Sequence, residues 1–244
     1  MSADTFDILF LIARPAAGKS EIIHFLKHVA LQERRRRFHI GAFTELDDFP
    51  MIWTWFEEDA LLEEMGKPRL HTDEQGLFLY PYLWHLLIRR LALEYKKLRR
   101  DEQDGEERKT AIVEFARGSE HGGFREAFAH FPEEMLRRGA VLYINVSWEE
   151  SKRKNRRRFN PERPDSILEH SLPDWKLELL YRDSDWDEFS AGDPAYLAIN
   201  GVRVPYAVFE NEDDVTTGPS PELAPRLEAA LELLWQRYLQ RPSS

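Results

Sequence analysis

The sequence predicts an α/β domain of three layers, with a five-stranded, mainly parallel sheet between helices. Two observations carry this. Apolar, β-rich runs alternate with helical patterns along the chain, and the first run passes through a short loop directly into an amphipathic helix. The length of 244 residues suits one such domain over 1–244, with room for an insertion.

The elements follow in order. Phe6–Ser20 reads FDILFLIARPAAGKS, a strand, a tight loop and a helix start, and Ile22, Ile23, Phe25, Leu26 and Val29 then recur at helical spacing. The basic run Arg34–Arg37 suits a solvated helix C-terminus, where cations complement the helix dipole. Phe38–Phe43 is expected as the second strand, followed by Glu45, Asp47 and Asp48 on the edge of the sheet where open α/β folds bind ligands. From Met51 to Arg100 the pattern is mostly helical, broken by a turn at Gly66-Lys67-Pro68. Trp84, His85, Tyr80 and Tyr82 read either as core aromatics or as contacts for a substrate ring. Lys96–Glu107 is charged throughout and reads as a solvated helix end and loop.

Thr110–Phe115 is the third strand and delivers Glu114, with Arg117 three residues on. The glycine-rich stretch Ser119–Gly123 follows on the same edge, and His121 within it reads as a polar loop residue. Ala140–Val146 is the fourth strand. Ser147 to Glu150 then has capping-box spacing and opens a helix carrying Lys152, Arg153, Lys154, Arg156, Arg157 and Arg158, stopped by Asn160-Pro161. Arg163–Asp193 is polar and irregular. Val202–Glu210 is the fifth strand, with Pro205 pointing to an edge or an irregular start. The last helix, Pro221–Gln240, presents Leu223, Leu227, Ala230, Leu231, Leu234 and Tyr238 on one face.

Composition narrows the function classes. Lys and Arg number 34 against 44 Asp and Glu, a formal net charge of −10, which argues against a general nucleic-acid binder. The chain has no cysteine, so disulfides, zinc–thiolate centres and cysteine nucleophiles are excluded and a cytoplasmic setting is permitted. No stretch approaches a membrane span, and the N-terminus lacks the basic flank of a signal peptide. Oligomeric state is not legible.

The strongest chemical signal is the loop Ala13, Arg14, Pro15, Ala16, Ala17, Gly18, Lys19 and Ser20. It is a relaxed Walker A pattern, with alanine at the position of the usual first glycine. Backbone N–H groups of such a loop converge on phosphate, the lysine reaches the outer phosphates, and the serine hydroxyl serves Mg²⁺. ATP with Mg²⁺ is the expected cofactor pair. Phosphoryl transfer to a hydroxyl also needs a carboxylate beside the acceptor, for which the acids after the second strand, Glu45, Asp47 and Asp48, are placed, and a carboxylate behind the metal, for which Glu114 is placed.

A phosphate loop followed by a strand ending in Asp47-Asp48-Phe49 resembles the uridine kinase and nicotinamide riboside kinase group. Pro50 departs from the aromatic residue usual next in that group. The resemblance implies a P-loop fold with strand order 2-3-1-4-5, Asp47 as acceptor-side carboxylate, and a base-facing loop after the last strand at Asn211–Val215. It also implies an arginine-bearing lid, placed at 148–195, with Arg153 and Arg157 as candidates for stabilising the transition state. Glu114-x-x-Arg117 is similar to the Glu-Arg pair of deoxynucleoside kinases, which implies Arg117 as an acceptor contact.

These readings converge on an ATP-dependent kinase acting on a small hydroxyl-bearing, nucleoside-like acceptor. A nucleoside-triphosphate hydrolase or switch acting on a protein partner is the alternative, and a non-catalytic nucleotide-binding module is a third. The Asn-Lys-x-Asp motif that reads guanine is absent from the sequence.

Overall fold

Strand β1, Ile8–Ala13, is buried along its whole length. Ile8, Phe10 and Ile12 belong to the core on one face of the sheet, and Leu9, Leu11 and Ala13 to the core on the other. An unbroken apolar run with a period of two is what a strand covered on both faces requires. The computed structural model describes residues 4–102, 108–158 and 171–242.

Five further strands flank it: β2 Phe43–Asp47, β3 Thr110–Phe115, β4 Gly139–Asn145, β5 Tyr196–Ile199 and β6 Val202–Glu210. The sheet order is β2-β3-β1-β4-β6-β5. All neighbours are parallel except β5 and β6, which form an antiparallel hairpin. Six strands thus replace the expected five. The added strand is explained by Asn200-Gly201, both at positive φ (48° and 79°), the backbone that a two-residue hairpin turn needs. Pro205 lies just before β6 begins to pair with β4 at Tyr206, so its missing N–H costs the central ladder nothing.

The second strand also differs from expectation. Phe38 ends a separate helix α2, Leu31–Phe38, which follows α1, Lys19–His28. His39 then turns the chain in the left-handed region (φ 54°) and β2 begins at Phe43. Arg35–Arg37 occupy the last turn of α2, as the dipole argument requires. Arg34 instead is buried, and its guanidinium donates to the carbonyls of Leu26, Val29 and Gly41. It satisfies the end of α1 rather than facing solvent.

One face of the sheet is covered by α1, α2 and α10 (Leu223–Leu239), through Ile22, Leu26, Phe38, Leu227, Leu231 and Leu234. The other is covered by α4 (Tyr82–Asp101), α5 (Gly123–Ala129), α6 (Glu133–Arg138) and α9 (Trp186–Ser190). The remaining helices, α3 (Phe49–Glu64), α7 (Trp148–Arg158) and α8 (Asp174–Tyr181), gather at the carboxyl edge of the sheet. The predicted lid 148–195 therefore contains α7, α8 and α9. The Asn160-Pro161 stop and the start of the irregular stretch at Arg163 lie outside the described residues, as do residues 103–107 of the predicted charged loop. Among the described residues, no helix is long and apolar enough to cross a membrane.

Candidate active site

The loop between β1 and α1 occupies the carboxyl end of the central strand. Ala16 (φ 56°) and Gly18 (φ 113°) are left-handed, backbone of the kind that turns N–H groups into one concavity. Helix α1 starts at Lys19 without a side-chain cap, so its first N–H groups have no side-chain partner there. The loop lines a cavity of about 210 Å³.

Two carboxylates reach the same cavity because parallel pairing puts them in register. Asp47, the last residue of β2, is the Cα partner of Glu114 on β3, and both line the cavity. Lys19 is 8% exposed, and its Nζ lies 3.9 Å from Glu114 Oε1. Burial raises the Asp47 pKa to about 7, helped by the negative charges of Glu114 and Asp48; the Phe49 N–H bond and Lys19 oppose it. Burial also raises Glu114, against the attraction of Lys19. Two adjacent acids sharing one lysine make a site with surplus negative charge, which a divalent cation relieves.

Asp48 turns away from this pair. It is buried, and its Oδ2 lies 2.7 Å from Arg117 Nη1, in contact as an ion pair but outside hydrogen-bond alignment. Arg117 is 2% exposed, donates to the carbonyls of Ala116 and Trp84, and packs 5.1 Å from the Trp84 ring. Arg117 does line the cavity, but its charge is matched by Asp48.

The predicted lid arginines are placed differently from their expectation. Arg153 is exposed, bonds Glu150 and lies 2.9 Å from Asp214; Arg157 lies 3.8 Å from the same carboxylate. Neither lines the cavity. Asn155 and Arg158 do, and Arg158 is close enough to Glu114 to favour its ionised form. Arg14 bonds the carbonyls of Tyr181 and Arg182, tying the loop to the end of α8.

The loop after β6 buttresses the loop between β1 and α1. Asn211 Nδ2 donates to Ala17 O (2.7 Å) and Thr216 Oγ1 (2.8 Å), and Lys154 Nζ reaches Thr216 Oγ1 (3.1 Å) and Asp214 (2.6 Å). An added Cβ on Gly18 would stand 2.5 Å from Thr216 Oγ1 and 2.8 Å from Asn211 Nδ2. Gly18→Ala is therefore expected to destabilise the chain by roughly 1–3 kcal/mol and to weaken nucleotide binding, measured by urea unfolding and calorimetric titration. Beyond Thr216 an open groove continues past Ser20 and His24 of α1 to Leu223.

On the opposite side the cavity shares Phe49, Ile52, Leu172 and Tyr181 with a second one of about 230 Å³. This second cavity is walled by Phe56, Phe78, Trp84, His121 and Lys176. Trp84 thus lines a cavity, whereas Tyr80 and Tyr82 are exposed and stacked on each other. His121 is buried against the Trp84 ring at 3.8 Å. Burial, followed by Arg117 and His85, lowers its pKa to about 3, so it is neutral at working pH. The Lys176 ammonium donates to the carbonyls of Gln75 and Gly76, and burial lowers its pKa.

Sequence reasoning passed over the residue that holds this wall. Asp59, fully buried on α3, accepts from the N–H groups of Leu70, His71 and Thr72 and from the Thr72 hydroxyl. Burial works against its charge, but these bonds outweigh it and keep the carboxyl below its ordinary range. Asp59→Ala leaves the buried Thr72 N–H and hydroxyl, and the part-buried N–H groups of Leu70 and His71, without their acceptor. It is expected to cost about 3 kcal/mol in urea unfolding.

Fold and site together define a mainly parallel α/β domain with a left-handed loop, a buried lysine and two carboxylates, Glu114 buried and Asp47 half-buried, on the carboxyl edge of its sheet. No family model and no curated protein sequence matches the chain. Among solved structures it is similar to a gluconokinase from Sinorhizobium meliloti 1021, at 15% identity and a TM-score of 0.41, over 97% of this chain and 98% of that one. It is likewise similar to a shikimate kinase from Bacteroides thetaiotaomicron, at 17% identity and a TM-score of 0.41, over 94% and 96% of the two chains.

Proposed function

We propose that this chain is an ATP-dependent P-loop kinase that phosphorylates a hydroxyl on a small, uncharged, ring-bearing acceptor of nucleoside-like chemistry. The observation that carries the reading is the meeting of the uncapped start of α1, Lys19 and two carboxylates from adjacent parallel strands around one cavity. Phosphoryl transfer needs little from a protein beyond that positioning and charge neutralisation.

In this reading the 13–20 loop and Lys19 hold the triphosphate, and the groove from Ser20 to Leu223 takes the base. Asp47 accepts the proton of the acceptor hydroxyl and orients it for in-line attack. The surplus acid beside Lys19 fits Mg²⁺, for which Ser20 supplies the hydroxyl and Glu114 the supporting carboxylate. When bound, that ion neutralises charge on the phosphates. Asn155 and Arg158, rather than Arg153 and Arg157, are the α7 residues in position to meet the transferring group. Arg153 and Arg157 support this arrangement by tying α7 to the Asp214 loop.

The aromatic second cavity is the acceptor's seat. Its cation, Lys176, is engaged by backbone carbonyls, and Arg117 at the adjoining wall is engaged by Asp48. An anionic acceptor therefore meets an arginine already paired with Asp48 and a lysine that already donates to backbone carbonyls, whereas a flat neutral ring finds Trp84, Phe56 and Phe78. The test is ADP release from ATP and Mg²⁺ in the presence of nucleosides, other ring-bearing alcohols and anionic polyols. Stimulation by the ring-bearing group is expected. Hydrolysis that no acceptor stimulates would instead identify a nucleoside-triphosphatase.

A further inference from the structure

His85 of α4, Glu126 of α5 and His130, the residue closing α5, stand together on the face of the molecule that packs α4 against α5. Each offers one ligand atom, and these atoms lie within 4.8 Å of one another. Among the described residues this is the one group of three His, Cys, Asp or Glu with that property. None of the three belongs to the cavity around Lys19, Asp47 and Glu114.

The local geometry follows from helix periodicity. Glu126 and His130 are four residues apart and share a face, with the carboxylate 3.1 Å from His130 Nε2. The His85 ring stacks on His130 with centroids 4.2 Å apart and planes at 28°. Among the described residues, His85 makes no hydrogen bond through its ring nitrogens. Burial and the neighbouring His130 favour its neutral form, the form with a lone pair to give. Glu126 is exposed and both imidazoles are half-buried, so the side chains can rotate together.

We propose that His85, Glu126 and His130 form a binding site for a zinc-class divalent ion that cross-links α4 to α5. Two imidazoles and one carboxylate are the donor set that zinc takes in three-ligand sites, with a fourth position left to water. Magnesium and calcium prefer oxygen ligands and are not served by it. Zinc bonds of about 2.1 Å in a tetrahedron bring ligand atoms to about 3.4 Å from one another, so the site closes by side-chain rotation of roughly an ångström. Trp84 immediately precedes His85, and the turn Ser119–His121 leads into α5, so the bridge stiffens the wall on which Trp84 and His121 stack.

The experiment uses the full chain, stripped with a chelator and titrated with Zn²⁺ against a chromophoric competitor. One equivalent is expected to bind, with affinity reduced at least about tenfold in His85→Gln and in His130→Gln. The melting temperature should rise by at least about 5 °C at a hundredfold excess over Kd in the parent chain, but not in the double variant, and Mg²⁺ should not reproduce the rise. Circular dichroism of the metal-free variants establishes that they fold. Absence of saturable Zn²⁺ binding, or equal affinity in the folded double variant, overturns the proposal, because the ion would then sit elsewhere or nowhere. The result is independent of whether the chain turns over ATP.

Discussion

Lys19→Ala is expected to lower kcat/KM for ATP by at least about a hundredfold and to remove most of the nucleotide affinity, checked by coupled ADP release and by calorimetric titration. Among the described residues the Lys19 ammonium is the cation in ion-pair contact with Glu114, at 3.9 Å, and in the proposed complex the outer phosphates take the place of Glu114 as its partner. Its loss removes charge from the developing transition state and also leaves Glu114 and Asp47 without their shared counter-charge. The apo protein should therefore also become less stable, most clearly above neutral pH, where both acids are driven to ionise. A loop that merely connects β1 to α1 would tolerate the change.

Asp47→Asn is the complementary experiment. Nucleotide affinity should persist, while kcat with the accepted substrate falls by about a hundredfold to ten-thousandfold, the usual worth of a positioned base. The pH profile supplies a second readout. With the Asp47 pKa at about 7, kcat/KM should rise with pH through neutrality and then level off, and that limb should vanish in the variant. Stability runs the other way. The unfolded chain's aspartate titrates near 3.9, so between that pH and about 7 the folded state holds the extra proton, and stability falls as pH rises through this window. Melting temperatures of the apo chain from pH 5 to 8 should show that decline, and Asp47→Asn should flatten it.

How much of this was legible depends on the range of the interactions. The β1–loop–α1 unit and β3 with Glu114 are written locally, as an apolar run with its exit residues, and the structure reproduces both. Strand β2 is harder. It lies at the sheet edge, so Phe43-Thr44-Glu45-Leu46-Asp47 carries only one buried side chain, and the more apolar Phe38–Phe43 competes for the assignment. The hairpin strand β5 did carry a local mark, the Asn200-Gly201 turn.

Residue chemistry alone picked out the 13–20 loop and the strand ends that bear acids. Only the tertiary structure decided how those groups are paired. Helical phase shows that Arg153 and Arg157 share a face and that Asn155 and Arg158 share another, but packing against the Asp214 loop selects which face meets the cavity. Asp48 and Arg117 are 69 positions apart in sequence, and Asp59 is bound to a loop more than ten residues away. A buried charge must find its partner wherever the fold brings one. That choice is made by three-dimensional proximity and desolvation, which leave no trace in local sequence.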